Sequence, residues 1–323
     1  MEDGTYIVSF IPRKKGSYEI TVSLKYVNID PSPVTIQAIE GRDYFSIENK
    51  FQSSFGSKGS QQGQFDSPRS VAINSLGQII VAEVNNHRVQ VFDENGNFLF
   101  MFGSQGNGDK QFNEPKGICV DDFDNIYVAD TKNHRIQIFK KDGEFLRKFG
   151  SNGDADGQFQ APHGIILDTD GNIFVANFDD HKVQKFDNYG RFLKKFGHLG
   201  NSNGEFDHPI AIAINSKNHV IVSEWSNHRV QIFDTNGNYL SKFGEKGTED
   251  GLLDSPWYLG TDKNDQIIVA DCDNNRVQVF DADGNFVTKI GSEILVDPSG
   301  IAIDSRNGKV IVADTGNNRI LIF

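Results

Sequence analysis

Val84–Val89 reads VNNHRV, and this six-residue cassette returns five more times: TKNHRI (Thr131–Ile136), FDDHKV (Phe178–Val183), WSNHRV (Trp225–Val230), CDNNRV (Cys272–Val277) and TGNNRI (Thr315–Ile320). The basic residues step by 47, 47, 47, 47 and 43. A second marker keeps time with them: Pro68, Pro115, Pro162, Pro209, Pro256 and Pro298. Two markers sharing a period of 40–50 residues mean a repeat protein, built of propeller blades or helical pairs.

The choice between those two rests on the apolar runs. The second repeat holds four: GICVD from Gly117, NIYVAD from Asn125, RIQIFK from Arg135 and EFLRKFG from Glu144. They are short and rich in Val, Ile, Tyr and Phe, as strands prefer. Asn95-Gly96, Asp142-Gly143, Asn236-Gly237 and Asp283-Gly284 separate third from fourth runs, and such dipeptides tolerate the positive φ of tight hairpin turns. No stretch in the repeats sustains a helical period. Four antiparallel strands, six times over, predict an all-β six-bladed β-propeller. The last repeat stops at Phe323 without a fourth strand, while Phe51–Gly56 (FQSSFG) resembles the fourth strand Phe98–Gly103. The expectation is that Phe51–Phe55 completes the sixth blade beside Arg319–Phe323, so that the N-terminal strand closes the ring and removes exposed edges.

Three segments follow: residues 1–38, a polar linker over 39–50, and a propeller over 51–323. Residues 1–38 lie outside the repeat and read as strands at Thr5–Phe10, Ser17–Tyr26 and Val34–Ala38. There is no apolar stretch of eighteen residues, and the opening MEDGTYIVSF is no signal peptide. Cys119 and Cys272, the only cysteines, occupy different repeat slots, which argues against a disulfide framework and for a reducing, cytoplasmic setting. A net charge of −12 disfavours general polyanion binding.

The pattern FGSxGxxxGQFxxPxGIxxDxxGNIxVADxxNHRIQxF, approximated by Phe102–Phe139, resembles the NHL repeat in all six blades. The dipeptides of WD40 blades and the double glycine of kelch blades are absent in register. Asp3–Tyr6, Gly16–Tyr18 and Ser32–Ile36 resemble the C-terminal end of a filamin-type immunoglobulin domain, here truncated. The combination resembles the C-terminal half of tripartite-motif proteins of the NHL class. That resemblance implies a longer protein in which a RING, B-boxes and a coiled coil come first. The RING carries ubiquitin-ligase activity, and the propeller recognises protein or RNA targets. The RING's cysteine and histidine clusters are not in this sequence, so ligase activity would lie outside it. The coiled coil would supply oligomerisation, and this piece is expected to be monomeric.

Five positions before each cassette's basic residue stands Glu83, Asp130, Asn177, Glu224, Asp271 or Asp314; pairing would tie the loop between second and third strands. Asn177 is paired with the one lysine, Lys182, consistent with the preference of Arg for carboxylates. His87, His134, His181 and His228 share one slot on a wide ring and read as scaffold. Asp121, Asp168, Asp262 and Asp304, with Asn74 and Asn215, end the first strands; a calcium-binding ring is outweighed by their use as turn starters. No convergent His trio, HExxH, GxSxG or phosphate loop is present. The chain is therefore expected to be non-catalytic, without metal or cofactor.

Aromatic residues locked to the repeat are packing; those that break it are informative. The slot after the VAD-like strand end holds Val84, Thr131, Phe178, Trp225, Cys272 and Thr315. The slot after the marker proline holds Arg69, Lys116, His163, Ile210, Trp257 and Ser299. Both should open on one face. Trp225, Trp257, Tyr258 and Phe178 are the candidate partner-binding cluster, with Arg69, Lys116 and His163 a polar arc and His163 near the channel mouth. The blade-joining loops of that face, with the residue after each marker proline, carry five basic against thirteen acidic residues. RNA affinity draws on phosphate neutralisation, so a protein partner is favoured. RNA stays open through a local stacking site, a propeller lyase or hydrolase ranks third, and no membrane partner is expected.

Overall fold

The computed structural model describes residues 50–323 together with Gly16–Ile20, Ser23–Leu24, Val27–Asn28, Val34–Ala38 and Tyr44–Ile47. Two units separate, Met1–Asp43 and Tyr44–Phe323. In the first, Gly16–Ile20 pairs antiparallel with Val34–Ala38, Gly16 opposite Ala38. Leu24 pairs with Val27, so the chain reverses inside the expected strand Ser17–Tyr26, which is not one strand. The expected strand Thr5–Phe10 lies outside the described residues.

The second unit is six four-stranded antiparallel sheets. In blade 2 the strands run, inside to outside, Pro115–Val120, Ile126–Asp130, Arg135–Phe139 and Phe145–Phe149. The second and third strands are buried on both sides (IYVAD and RIQIF), and the polar side chains they carry, Asp130, Arg135 and Gln137, bond to one another. The fourth alternates half-buried and exposed positions. Blade 6 has the order Pro298–Ile303, Val310–Asp314, Arg319–Ile322, Ser53–Phe55, with Ile320 opposite Phe55 and Ile322 opposite Ser53.

Blades are fastened by one aromatic motif. Phe102, from the outer strand of blade 1, packs on Phe139 (4.7 Å between centroids) and Phe112 (6.3 Å) of blade 2. Phe149 meets Phe186 and Phe159 in the same way, and Phe55 meets Phe92 and Phe65. Offset and tilted pairs of this kind add about 0.5–1.5 kcal/mol each beyond area burial.

Two local expectations change. In the outer hairpins only glycine takes positive φ (Gly96 84°, Gly143 80°), not the Asn or Asp before it. Asp93 N–H bonds to Asn97 O and Gly96 N–H to Asp93 O, which closes a loop over residues 93–97. Residues 44–47, assigned to the linker by their polar surroundings, form a 3-10 turn of the propeller unit. Tyr44 is buried in the cluster of Ile290, Leu295 and Phe323, and its hydroxyl donates to Asp262 (3.1 Å).

Candidate functional site

Each inner strand begins with a bulge. Pro115 lies opposite Asp130, but the next partners are Ile118 and Val128, so Lys116 and Gly117 fall between paired positions. At the second of these slots the inner strands of adjacent blades nearly touch: a Cβ on Gly117 would stand 1.9 Å from His163 O, and one on Gly164 2.5 Å from Ile210 O. Backbone approach requires glycine at these two positions, while blades 1 and 4 carry Ser70 and Ala211 in the same slot. Blade 5 departs with Tyr258, whose buried hydroxyl sits beside Ser70 of blade 1 without a hydrogen bond of normal geometry.

The slot after the marker proline brings residues of four blades together. Arg69 of blade 1 lies over the Trp257 ring of blade 5 at 4.3 Å. His163 of blade 3 stacks on Phe178 (4.3 Å, 9°) and lies 6.3 Å from Trp257. Lys116 Nζ of blade 2 is 2.9 Å from His163 Nε2. Phe178 continues to Trp225 at 6.2 Å. Arg69, Lys116, Phe178 and Trp257 are half-buried, His163 is buried, and Trp225 is 39% exposed. The aromatic cluster and the polar arc are thus one constellation, with Tyr258 following Trp257 in the same strand.

The electrostatics follow from burial among like charges. Burial, with Arg69 nearby, pulls the Lys116 ammonium down to about 8. Burial and then the Lys116 and Arg69 charges hold His163 well below its ordinary value, so it is neutral at pH 7. Because an ammonium only donates, His163 Nε2 accepts from Lys116 and the ring proton sits on Nδ1. That Nδ1 is buried with no partner, as is Arg69 Nε.

The repeat-locked polar groups are framework. Arg88–Glu83, Arg135–Asp130, Arg229–Glu224, Arg276–Asp271 and Arg319–Asp314 pair at 2.6–2.7 Å. Arg135 also donates to the carbonyls of Asn107, Gly108 and Gln111, tying in the blade-joining loop. Blade 3 does not lack an acid. Asn177 and Asp180 exchange the roles that Asp130 and Asn133 hold in blade 2, and Lys182 pairs with Asp180 at 3.1 Å. The four histidines take φ between 51° and 54°, and each Nδ1 accepts a backbone N–H from the following blade, as Glu114 donates to His87. Asn275 and Asn318 do the same through Oδ1. Asp121 accepts from the N–H groups of Phe123 and Asn125, the turn role.

Sequence reasoning missed His208, which packs on Phe178 (4.5 Å) and Trp225 (5.9 Å). It stands one place before a marker proline, in a slot where other blades carry Ser, Glu, Ala or Asp; comparing that slot too would have found it. His181, Asp207 and His208 bring ligand atoms within 4.8 Å of one another. His181 Nδ1 already accepts the His208 N–H (3.1 Å), and a metal on its other nitrogen would place a proton there and break that bond. The trio does not fit a metal.

The sequence pattern of the NHL repeat matches residues 65–92, 112–139, 159–186, 206–233, 253–280 and 295–323. Protein lin-41 of Caenorhabditis elegans is 35% identical over 99 residues, 30% of this chain and 9% of that protein. E3 ubiquitin-protein ligase TRIM71 of Rattus norvegicus is 38% identical over 97 residues, 30% of this chain and 11% of that protein. The matched part is therefore a small fraction of these relatives. A gluconolactonase structure from Xanthomonas campestris superposes with a TM-score of 0.61 at 15% identity, covering 85% of this chain and 96% of the other, a likeness of fold alone. No helix among the described residues is long and apolar enough to cross a membrane.

Proposed function

We propose, from the premise that this chain belongs to the NHL-repeat family, that its propeller is a non-catalytic recognition module that docks protein partners at the channel mouth. One observation carries the reading: the blade-specific residues Arg69, Lys116, His163, Phe178, Trp225 and Trp257 meet at one place. Repeat-locked residues are occupied in holding blades together; these differ from blade to blade, and all but the buried His163 are half-buried or exposed. Large aromatics with a cation in a part-desolvated patch are the anchors that dominate protein interfaces. The acidic loops around them repel polyanions. Similarity to an E3 ubiquitin-protein ligase supports a role in bringing targets to ligation carried out by other parts of a longer cytoplasmic protein. Residues 1–38 fit in as the end of a filamin-type domain, with 51–323 as a monomeric module closed by its N-terminal strand.

A second reading rests on the same aromatic faces. Phe178, Trp225 and Trp257 beside two cations offer stacking to unpaired bases, worth about 1–3 kcal/mol per base. The full chain should be offered side by side a random-peptide display library and a pool of single-stranded and hairpin RNA at physiological salt. Peptides retained by the wild type and lost with Trp225→Ala support protein docking. Saturable RNA binding lost with the same variant, with no peptides selected, replaces it by RNA recognition.

A further inference from the structure

The six cassette cations all have partners: five arginines face a carboxylate five residues upstream and Lys182 faces Asp180. Arg69 and Lys116 do not. Neither makes an ion pair among the described residues; their polar contacts are Ser67 Oγ (3.4 Å) for Arg69 and neutral His163 for Lys116. The acids that act on them, Glu114 and Asp297 for Arg69, Glu114 and Asp179 for Lys116, do so only at longer range, and Lys132 adds a further positive charge. Two cations are therefore held part-buried in neighbouring blades without an ion-pair partner, an arrangement that costs stability.

Among the atoms left without a partner at this place, donors dominate. Arg69 Nε–H and His163 Nδ1–H are donors with no acceptor, and the Tyr258 hydroxyl has a proton to give. Two positive charges beside unpaired N–H donors are complementary to an oxyanion. Trp257, under the Arg69 guanidinium, and Phe178, under His163, add apolar walls that fix the donors' planes. The surrounding loops are acidic, which selects against a chain of phosphates and for one anionic group on an otherwise neutral or basic segment.

Building on the protein-docking reading above, we propose that the channel mouth takes a single carboxylate of a partner peptide, on Arg69 and Lys116, with apolar neighbours of that carboxylate on Trp257 and Phe178. An anion there favours the charged form of Lys116, so binding at pH 8 takes up a proton.

The test is calorimetry of the full chain with five probes. These are an end-blocked pentapeptide with one central glutamate between leucines and lysines, its glutamine twin, and the twin with a free C-terminal carboxylate. Inorganic phosphate and a single-stranded RNA hexamer complete the set. The glutamate or the free-carboxylate peptide should bind at least tenfold tighter than the blocked glutamine twin; which one does so identifies a side-chain or a terminal carboxylate. Titrations in two buffers of different ionisation enthalpy should show uptake of about half a proton at pH 8, where a group titrating at about 8 is half charged, and almost none at pH 6. That readout needs no variant. Arg69→Gln should weaken the carboxylate peptide at least tenfold, and Lys110→Met, on the exposed loop, should not. Equal binding of all three peptides, with no proton uptake, overturns the proposal: the cations are then served by water alone. Binding of such peptides that Trp225→Ala still abolishes would leave protein docking standing without this site. Preference for phosphate or the RNA hexamer over every peptide overturns both.

Discussion

Blades 2 and 3 carry the same tie built two ways, and exchanging them is a direct test of what the tie needs. Asp130 is fully buried and accepts from Arg135 Nε (2.7 Å), Gln137 Nε2 (3.0 Å), Asn133 Nδ2 and the Asn113 N–H (2.7 Å). Asp130→Asn keeps the shape and removes the charge. Breaking a buried pair costs about 3–5 kcal/mol. Arg135 keeps three carbonyl partners, at 2.7, 2.7 and 2.9 Å, so the low end applies, about 3 kcal/mol. For a domain of this size that is a fall of about 5 °C in melting temperature. Asp130→Asn with Asn133→Asp recreates the Asn177/Asp180 arrangement and should recover more than half of the loss. Melting followed by circular dichroism at one fixed scan rate measures all three proteins. If the double variant is no more stable than the single one, the carboxylate acts through its position and not its charge, and the exchange in blade 3 is not a compensation.

Lys182 reaches one loop carbonyl, Asp154 O at 3.3 Å, where Arg135 reaches three; Lys182→Arg should therefore stabilise by about 1 kcal/mol, seen as a higher melting temperature, and no gain would refute the carbonyl ties. Gly117→Ala places a Cβ 1.9 Å from His163 O, a backbone atom, and should cost 2 kcal/mol or more, at roughly the upper end for overpacking; a neutral outcome in denaturant titration would show that the inner strands do not approach so closely. Lys116 titrates at about 8 when folded against its ordinary 10.5, so between those values the unfolded chain binds more protons. Stability should rise with pH through that window relative to Lys116→Met; parallel pH–stability curves would refute the burial of its charge.

What could be read from the sequence is what the period repeats. Blade number, strand count and the Arg–acid ties are legible because each residue type recurs at a spacing only one geometry satisfies. The scaffold role of His87 and its equivalents is legible because Asn substitutes for them, both types tolerating a left-handed backbone and offering an acceptor. The Tyr44 turn could not be read: it lies outside the period, and its burial is decided by Leu295 and Ile290, some 250 positions away. His208 and the exchanged Asn177/Asp180 pair were hidden for a different reason. Each lies in a slot that looks ordinary unless the neighbouring slot is read with it.

The same logic locates function. A ring of identical blades has no preferred place on its face, so specificity must come from departures, and departures scattered round the ring would not make a site. Here they are not scattered. Arg69, Lys116, His163 and Trp257 break one slot, Phe178 and Trp225 another, Tyr258 the glycine slot and His208 the slot before proline, in five different blades. The inner-strand bulges turn the first set toward the centre, where residues from blades 1 and 5 come within 4.3 Å. Central convergence lets single substitutions in separate blades act on one ligand. The repeat-locked arginines close their own ion pairs, whereas at the mouth Arg69 Nε and His163 Nδ1 are left without a partner.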